Sequence, residues 1–444
     1  MTEQFTVTVA PETAVHEAVT AALRFAASPL PDSERCRALR AVAAELRARP
    51  HDLAASMVDE IRKPVTLARL EVERSAEVLE CTAAEWETLR GEVVPTHASE
   101  HSAGRLVYVR RHPVGVVCAI TPFNFPVALT VHKLAPALAA GNACIVKPSE
   151  YAPQTVERLC SLFVDCGFPE DSIAVVPGGP EVVDALLADP SISLYSFTGS
   201  ARVGTKIKAA SGLRPVVLEL GANAATIVHH DADLARAAAA VARGAFAFSG
   251  QACFSVQRVI VHRDARAELV RLLEEEMARL PVGDPSDPAV LVGPLVNEAA
   301  AIRVESLIDD AVRAGATVLA GGARQGDFVW PTLVTGVPQD SALWSEEAFG
   351  PVGVLAEYST LDEAIRLAND SRYGLQTGIY TGDIAVAMEA SERLQAGAVM
   401  INETSSWRAT AMPFGGIRDS GFGREGPRYA LEAMTFQKTI GLAG

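Results

Sequence analysis

The stretch Val114-Gly-Val-Val-Cys-Ala-Ile-Thr-Pro-Phe-Asn-Phe-Pro126, with the residues that follow to Glu150, decides the fold. Val114–Ile120 is an unbroken apolar run, the pattern of a strand buried on both faces. Leu129–Ala140 then carries apolar residues at helical spacing. Ala143–Val146 is a second apolar run, closed by Lys147-Pro-Ser-Glu150. Strand, helix and strand in this order predict a parallel pair joined by a crossover helix.

Working outward, the alternation continues. Helix-like Thr155–Cys166 leads to strand Ile173–Val176, and Glu181–Ala188 to Leu194–Phe197. Arg202–Ala210 leads to Val216–Leu220. Each strand ends in Gly, Pro or a small polar residue, and ligands in such sheets bind beyond the carboxyl ends. A second alternation starts near residue 222. It comprises strand Thr226–Val228, helix Leu234–Phe248 and strand Val256–Val261. Helices follow near 265–279 and 297–314, with strands near 316–319, 352–357 and 398–401. Before Val114, residues 11–90 read as helices punctuated by Pro50 and Pro64, and Arg105–Arg111 has β-type character. The fold class is therefore α/β, with two Rossmann-like parallel sheets.

At 444 residues the chain exceeds one ordinary core, so more than one domain is expected. A net charge of −15 argues against a nucleic-acid partner, since nothing offsets phosphate repulsion. The amino terminus lacks the basic and apolar regions of a signal peptide. The most apolar region, Phe125–Val146, is interrupted by His132, Lys133, Pro136, Gly141 and Asn142, which argues against a membrane span. Seven scattered cysteines without metal-ligand spacing fit a reducing cytoplasm, and no metal ligand set is read.

Five stretches can carry chemistry. Cys253, at a turn between a helix end and a strand, is either a small core residue or a nucleophile beside free backbone N–H groups. Asn124, between Pro122 and Pro126, is a turn residue or a donor to an anionic oxygen. Lys147 and Glu150 form a solvated turn or hold a ribose diol. Phe197-Thr-Gly-Ser-Ala-Arg-Val-Gly204 opens a helix whose N–H groups can meet a phosphate, although its glycines make no G-x-G-x-x-G. Glu219 stands in an otherwise apolar strand. It is either paired with a cation or a base with a raised pKa.

Taken together, the motifs resemble the aldehyde dehydrogenase superfamily. They are Thr121-Pro-Phe-Asn-Phe-Pro126, Lys147-Pro-Ser-Glu150, Phe197-Thr-Gly-Ser200, Leu218-Glu-Leu-Gly221 and Gly250-Gln-Ala-Cys253. Glu346-Glu-Ala-Phe-Gly-Pro-Val352 and Pro413-Phe-Gly-Gly416 with Ser420-Gly-Phe-Gly-Arg-Glu425 complete the series, which runs from about Glu34 to the C-terminus. The resemblance implies that Cys253 attacks the aldehyde, that Asn124 and the Cys253 N–H bind the oxyanion, and that Glu219 activates water to release the acid. It places NAD along Thr121, Pro122, Lys147, Ser149 and Glu150. Gly179, Phe197, Thr198, Gly199 and Ser200 would line the adenosine and pyrophosphate side. Leu220, Gly221, Glu347 and Phe349 would hold the nicotinamide side. Glu150 favours NAD over NADP, because a carboxylate accepts from a 2′-hydroxyl and repels a 2′-phosphate.

On the same resemblance, residues 1–103 and 119–221 form the cofactor domain and 222–414 the catalytic domain. Segments 104–118 and 415–444 serve oligomerisation, giving a homodimer or homotetramer. Specificity is expected from Phe125, His132 and Arg408. Arg408 lies five residues before Pro413, as in relatives acting on phosphorylated or phosphono aldehydes. A small anionic aldehyde is the expected substrate. Lactaldehyde, a semialdehyde, transfer to coenzyme A and a non-catalytic role stand as alternatives. The chain departs from the family pattern at Gly221-Ala222, at Asn223-Ala-Ala (which lacks a proline), at Arg62 (in place of glycine), and in a missing or truncated N-terminal strand.

Overall fold

The computed structural model describes residues 12–89, 91–98, 100–102 and 104–443. The N-terminal strand in question would lie outside them. Four helices open the described chain: α1 (Glu12–Ala27), α2 (Asp32–Ala48), α3 (Pro50–Ile61) and α4 (Val65–Thr88). Strands β1 (Glu92–Val94) and β2 (Arg105–Pro113) follow. The first alternation is β3 (Val116–Ile120), α5 (Pro126–Ala140), β4 (Ala143–Lys147), α6 (Pro153–Asp165) and β5 (Ile173–Val175). It continues through α7 (Pro180–Ala188), β6 (Leu194–Thr198), α8 (Ala201–Ala210) and β7 (Val216–Glu219).

The second alternation is β8 (Ala224–Val228), α9 (Leu234–Phe246), β9 (Val256–His262), α10 (Arg266–Arg279) and α11 (Glu298–Arg313). Next come β10 (Thr317–Ala320), β11 (Arg324–Gln325), β12 (Phe328–Val329), β13 (Thr332–Thr335), α12 (Ala342–Ser345) and β14 (Val352–Tyr358). Then α13 (Leu361–Asn369), β15 (Gln376–Tyr380), α14 (Ile384–Arg393) and β16 (Ala398–Ile401) close it. The tail holds β17 (Gly421–Phe422), α15 (Pro427–Ala433) and β18 (Thr435–Ala443).

The first sheet has the order β17-β7-β6-β3-β4-β5 and the second β10-β13-β14-β9-β8-β15-β16. Strand side chains alternate between faces, and both faces of each sheet are covered. Val117, Ala119, Cys144 and Val146 pack with α4 and α5 on one side of the first sheet. Val116, Cys118, Ile120 and Ile145 pack with α1 and α7 on the other. This double burial is why β3 reads as a continuous apolar run; each fully buried Val or Ile contributes about 1.5–3 kcal/mol.

Both sheets wind outward from a central strand and then return to its other side. In the first sheet β3, β4 and β5 run one way, and β6 returns beside β3. The crevice between β3 and β6, at their carboxyl ends, therefore holds residues 121–126 and Gly199. Such a switch point is where open α/β sheets bind ligands.

Several expectations need adjustment. The division between residues 118 and 119 falls inside β3, which pairs with β4 and β6. The tail is not wholly separate, because β17 returns to pair antiparallel with β7 at Gly421↔Glu219. Helix α9 stops at Phe246, not Phe248. β13, β15, α13 and α14 were not anticipated. The strand signal of Gln376-Thr-Gly-Ile-Tyr380 is weakened by its polar and glycine residues.

Candidate active site

Cys253 lies in a turn built by unusual backbone. Phe248 and Ser249 take left-handed φ values of 51° and 55°, and Gly250 follows at 66°. A Cβ on Gly250 would sit 2.2 Å from the Gly350 carbonyl oxygen, so only glycine fits. Non-glycine residues held in this region cost about 1–3 kcal/mol each. Tertiary bonds hold them: Phe248 N–H donates to Leu291 O at 2.8 Å, and Ser249 Oγ donates to Gly293 O at 2.6 Å. The turn delivers Cys253 at the amino end of β9, partly exposed. Its backbone N–H has no acceptor among the described residues. Burial, then the charges of Glu347 and Glu219, push the thiol pKa up, while Arg408 pulls it down.

Asn124 comes from the loop after β3 and is 4% exposed. Its Nδ2 donates to Gln251 O at 2.8 Å, which ties the asparagine loop to the cysteine turn. Pro126 at the first position of α5 fixes the end of that loop. Two charged residues of the N-terminal helical layer clamp it. Glu71 Oε1 accepts the N–H groups of Val127 and Ala128, both at 2.9 Å, satisfying free donors of the first turn of α5. Lys63 pairs with Glu71 and donates to Asn124 O at 2.8 Å. Lys63 is 1% exposed and lies over the Phe125 ring at 3.6 Å. Phe125 packs against Phe248 and Phe254, so it belongs to the wall beside the cysteine.

Glu219 ends β7 and is 2% exposed, and neither carboxylate oxygen has a partner. Burial, reinforced by the charge of Glu425, raises its pKa well above the carboxylate range against the pull of Lys133, Arg408 and Arg424. The cation-paired alternative does not apply to Glu219, because no ion pair reaches it. Glu425 takes that pairing instead. Lys133 Nζ bonds Glu425 Oε1 and donates to Thr198 Oγ1 at 2.7 Å. Burial opposes the Glu425 charge, but Lys133 and Arg408 hold its pKa below the usual range.

Arg408 lies in the loop after β16, and its Nε and Nη2 are buried without partners. The guanidinium stacks on Phe414 at 4.1 Å. Ser405 Oγ donates to Phe254 O at 3.0 Å and Thr410 Oγ1 to Glu77 Oε2 at 2.9 Å, anchoring the loop on both sides of Arg408. Its charge acts on Cys253, Glu219 and His132. His132, expected among the specificity residues, is not a cation here. Burial and the neighbouring Arg408 push its pKa down to about 3, so the ring is neutral at pH 7. A neutral imidazole offers one N–H, not a positive charge.

The remaining expected residues gather along the carboxyl edge of the first sheet. Ser200 caps α8, its side chain accepting from Val203 N–H, and Ser200 itself is exposed. A Cβ on Gly199 would lie 2.6 Å from the Phe197 ring, so this helix start needs a glycine. Thr121 Oγ1 is buried without a partner, and Pro122 and Ser149 are half-buried beside it. Burial lowers the Lys147 pKa, against Glu150 and Glu181. Glu150 Oε1 lies 3.2 Å from the Cβ direction of Gly179, whose N–H donates to Glu181 Oε1 at 2.8 Å. Glu347 reaches Gly221 and Ala222, accepting from Ala222 N–H at 3.2 Å. Burial raises its pKa to about 7. Leu220 packs under Gly204, and Phe349, at a φ of 44°, meets Phe123 edge-on at 5.9 Å. An orphan hydroxyl, a capped helix start and the Lys147, Glu150 and Glu181 side chains fit a dinucleotide.

Sequence reasoning gave no role to Lys63, Glu71, Lys133, Glu181 or Glu425. A signal existed for Lys133, since a lysine inside the apolar helix Leu129–Ala140 must be paired if buried. Its partner, 292 positions away, could not be read from spacing.

The profile of the Aldehyde dehydrogenase family matches residues 2–440. The chain is 40% identical over 435 residues to a 3-sulfolactaldehyde dehydrogenase of Priestia megaterium, covering 98% of this chain and 91% of that protein. It is 34% identical over 407 residues to a sulfoacetaldehyde dehydrogenase of Neptuniibacter caesariensis, covering 92% and 89%. The glyceraldehyde-3-phosphate dehydrogenase of Methanocaldococcus jannaschii, solved in complex with NADP, superposes with a TM-score of 0.94 at 35% identity, covering 98% and 96%.

Proposed function

The chain belongs to the aldehyde dehydrogenase family, an NAD(P)-dependent oxidoreductase family, and on that basis we propose that it oxidises a small anionic aldehyde to the free acid through a thioester on Cys253. The Cys253 sulfur attacks the carbonyl carbon, and the oxygen that becomes negative is met by the Asn124 amide and the Cys253 N–H. Thr121, Lys147, Glu150, Ser200 and Glu347 would hold the NAD along the first sheet, and when bound it would supply the acceptor for the hydride that leaves the aldehyde carbon. Glu219 then takes a proton from water, and the resulting hydroxide attacks the thioester, releasing the carboxylate and restoring the thiol. An unpartnered carboxylate with a raised pKa suits this role. Retention of Glu219 favours hydrolysis over transfer to coenzyme A. Its presence with Cys253 and Asn124 weighs against a non-catalytic relative.

The observation that carries the substrate reading is the pair of unpartnered buried nitrogens on Arg408. Nε and Nη2 form the fork that binds an oxyanion in two places. Lactaldehyde or another neutral aldehyde would leave them unsatisfied, which is costly. Sulfonate, phosphonate and phosphate share the required tetrahedral chemistry. The two relatives above, a 3-sulfolactaldehyde dehydrogenase and a sulfoacetaldehyde dehydrogenase, favour the sulfonate. Arg408→Ala is expected to raise the KM for sulfonated or phosphono aldehydes about 10- to 100-fold, the loss of a charged hydrogen bond, and to leave neutral aldehydes nearly unaffected. An unchanged KM for the anionic aldehydes in NADH-release assays would refute the anion site.

Glu150 is joined by Glu181 beside Lys147, so a 2′-phosphate would meet two carboxylates. This supports NAD over NADP. The double variant Glu150→Gln, Glu181→Gln should raise kcat/KM for NADP about tenfold by removing like-charge repulsion. Equal use of both cofactors by the parent protein would contradict the preference.

The surface and the cysteine content support a reading of assembly and location. β18 pairs with β2 over nine residues, Thr435↔Pro113 through Ala443↔Arg105, and forms the outer edge of a three-stranded sheet. Its other edge is open, and open edges recruit partner strands. A dimer or tetramer is the expected state, and a monomer by light scattering at micromolar concentration would contradict it. No helix among the described residues is long and apolar enough to cross a membrane. Seven free cysteines support a cytoplasmic location.

A further inference from the structure

The second sheet repeats the winding of the first. β8, β9 and β14 step one way, and β15 returns to the other side of β8. Its switch point is the crevice between β8 and β15 at their carboxyl ends, the place where such sheets bind ligands. Cys253 and Glu347 approach the reaction from the opposite side, at the amino ends of β9 and β14. The carboxyl-end crevice of the second sheet is therefore outside the reaction described above.

That crevice is lined by imidazoles. His229, His230 and Asp231 follow β8 directly, and one ligand atom from each lies within 4.8 Å of the others. The His229 and His230 rings are 4.2 Å apart, and His262, the last residue of β9, lies 5.0 Å from His230 and 5.7 Å from His229. Asp231 is fixed from the β15 side. Its Oδ1 accepts from Thr381 Oγ1 at 2.9 Å, and its Oδ2 accepts from Gly382 N–H at 3.1 Å. The same Oδ1 is 2.8 Å from His229 Nδ1. Nδ1 and Oδ1 thus face one point, where an ion can take the place of a proton between them. A second observation points into the same place. Tyr358, the last residue of β14, is 1% exposed, its hydroxyl has no partner, and its ring meets His262 edge-on at 5.2 Å. The carboxyl ends of β8, β9, β14 and β15 thus all contribute a polar group to one spot. His229 and Asp231 side chains are 12% and 29% exposed, so an ion can enter from solvent.

We propose that His229, His230 and Asp231 form a second site, one that binds a divalent transition-metal ion of the zinc class. Two imidazoles and a carboxylate suit zinc or nickel and not calcium or magnesium, which prefer all-oxygen sets. Ligands at about 2.0–2.1 Å around a tetrahedral ion require side-chain closure of about 1–1.5 Å from the widest separation, within reach of ring rotation. Residue spacing carries no sign of it, because adjacent His-His-Asp is not a recognised ligand spacing and the supports come from β9, β14 and β15.

The test is equilibrium dialysis of the chain against Zn²⁺ alone, in a Cys81→Ala, Cys166→Ala, Cys253→Ala background that removes the three partly exposed thiols. One zinc per chain is expected at micromolar concentration. Adding His230→Ala, an exposed position, should abolish it with the circular dichroism spectrum unchanged. Asp231→Asn should weaken binding about 10- to 100-fold. No zinc bound at micromolar concentration, or the same zinc content with and without His230→Ala, would overturn the proposal.

Discussion

Cys253→Ser should lose NADH production by about 10⁴-fold or more, the scale seen when a covalent nucleophile is removed. The serine hydroxyl fits the same turn, whose shape is set by Phe248, Ser249 and Gly250, so folding and NAD binding should be unaffected. What is lost is reactivity. A hydroxyl is a far weaker nucleophile than a thiol, and the turn offers no cation to ionise it, since Ala252 is its neighbour. The thiol itself sits above its usual pKa through burial and the Glu347 and Glu219 charges. Because the reactive form is the thiolate, kcat/KM of the parent protein should rise with pH across the neutral range. Cofactor titration by fluorescence, run beside the activity assay, separates lost chemistry from lost binding. Undiminished NADH production by the variant would remove Cys253 from the reaction.

Glu219→Gln should separate the two halves of the reaction. The first equivalent of NADH is still released, because thioester formation does not use Glu219. Turnover then falls about 10²- to 10⁴-fold, the usual worth of a general base. The pH dependence follows from the direction of the shift. Burial and Glu425 raise the Glu219 pKa, so its base form is lost as pH falls through a value well above that of an ordinary carboxylate. Steady-state kcat of the parent protein should drop on that acid limb, and the limb should be absent from the variant. The glutamine needs no compensating charge in its buried site, so the melting temperature should not fall. Stopped-flow absorbance reads both the burst and the slow phase. A variant lacking the burst would place Glu219 before hydride transfer and contradict the assigned order.

The sequence carried much of this because the relevant signals are local. β3 and β4 are apolar runs closed by Thr121-Pro and Lys147-Pro, and a doubly covered parallel strand has no other pattern available. Cys253, Asn124 and Glu219 were legible through their motifs, and each sits where a strand begins or ends. The clamp on Asn124 was not legible. Lys63 and Glu71 come from the helical layer, 61 and 53 positions before it in the chain, and only tertiary packing brings them together. The left-handed turn at Phe248 and Ser249 was hidden for a different reason. Neither residue type favours positive φ, so local preference pointed to continued helix and tertiary bonds overrode it. The return of Gly421–Phe422 to β7 escaped because a two-residue strand has too little pattern to read. His132 illustrates a further limit, since its neutrality depends on burial and on Arg408, 276 positions away.

The proposed reaction turns on one covalent intermediate. Its most direct test is intact-protein mass spectrometry of Glu219→Gln, acid-quenched after mixing with NAD and a sulfonated or phosphono aldehyde. The expected result is a single acyl adduct, mapped by digestion to Cys253 and absent when NAD is omitted or when Cys253→Ser is added. An unmodified protein under conditions where NADH has been released, or an adduct at any other residue, would contradict it.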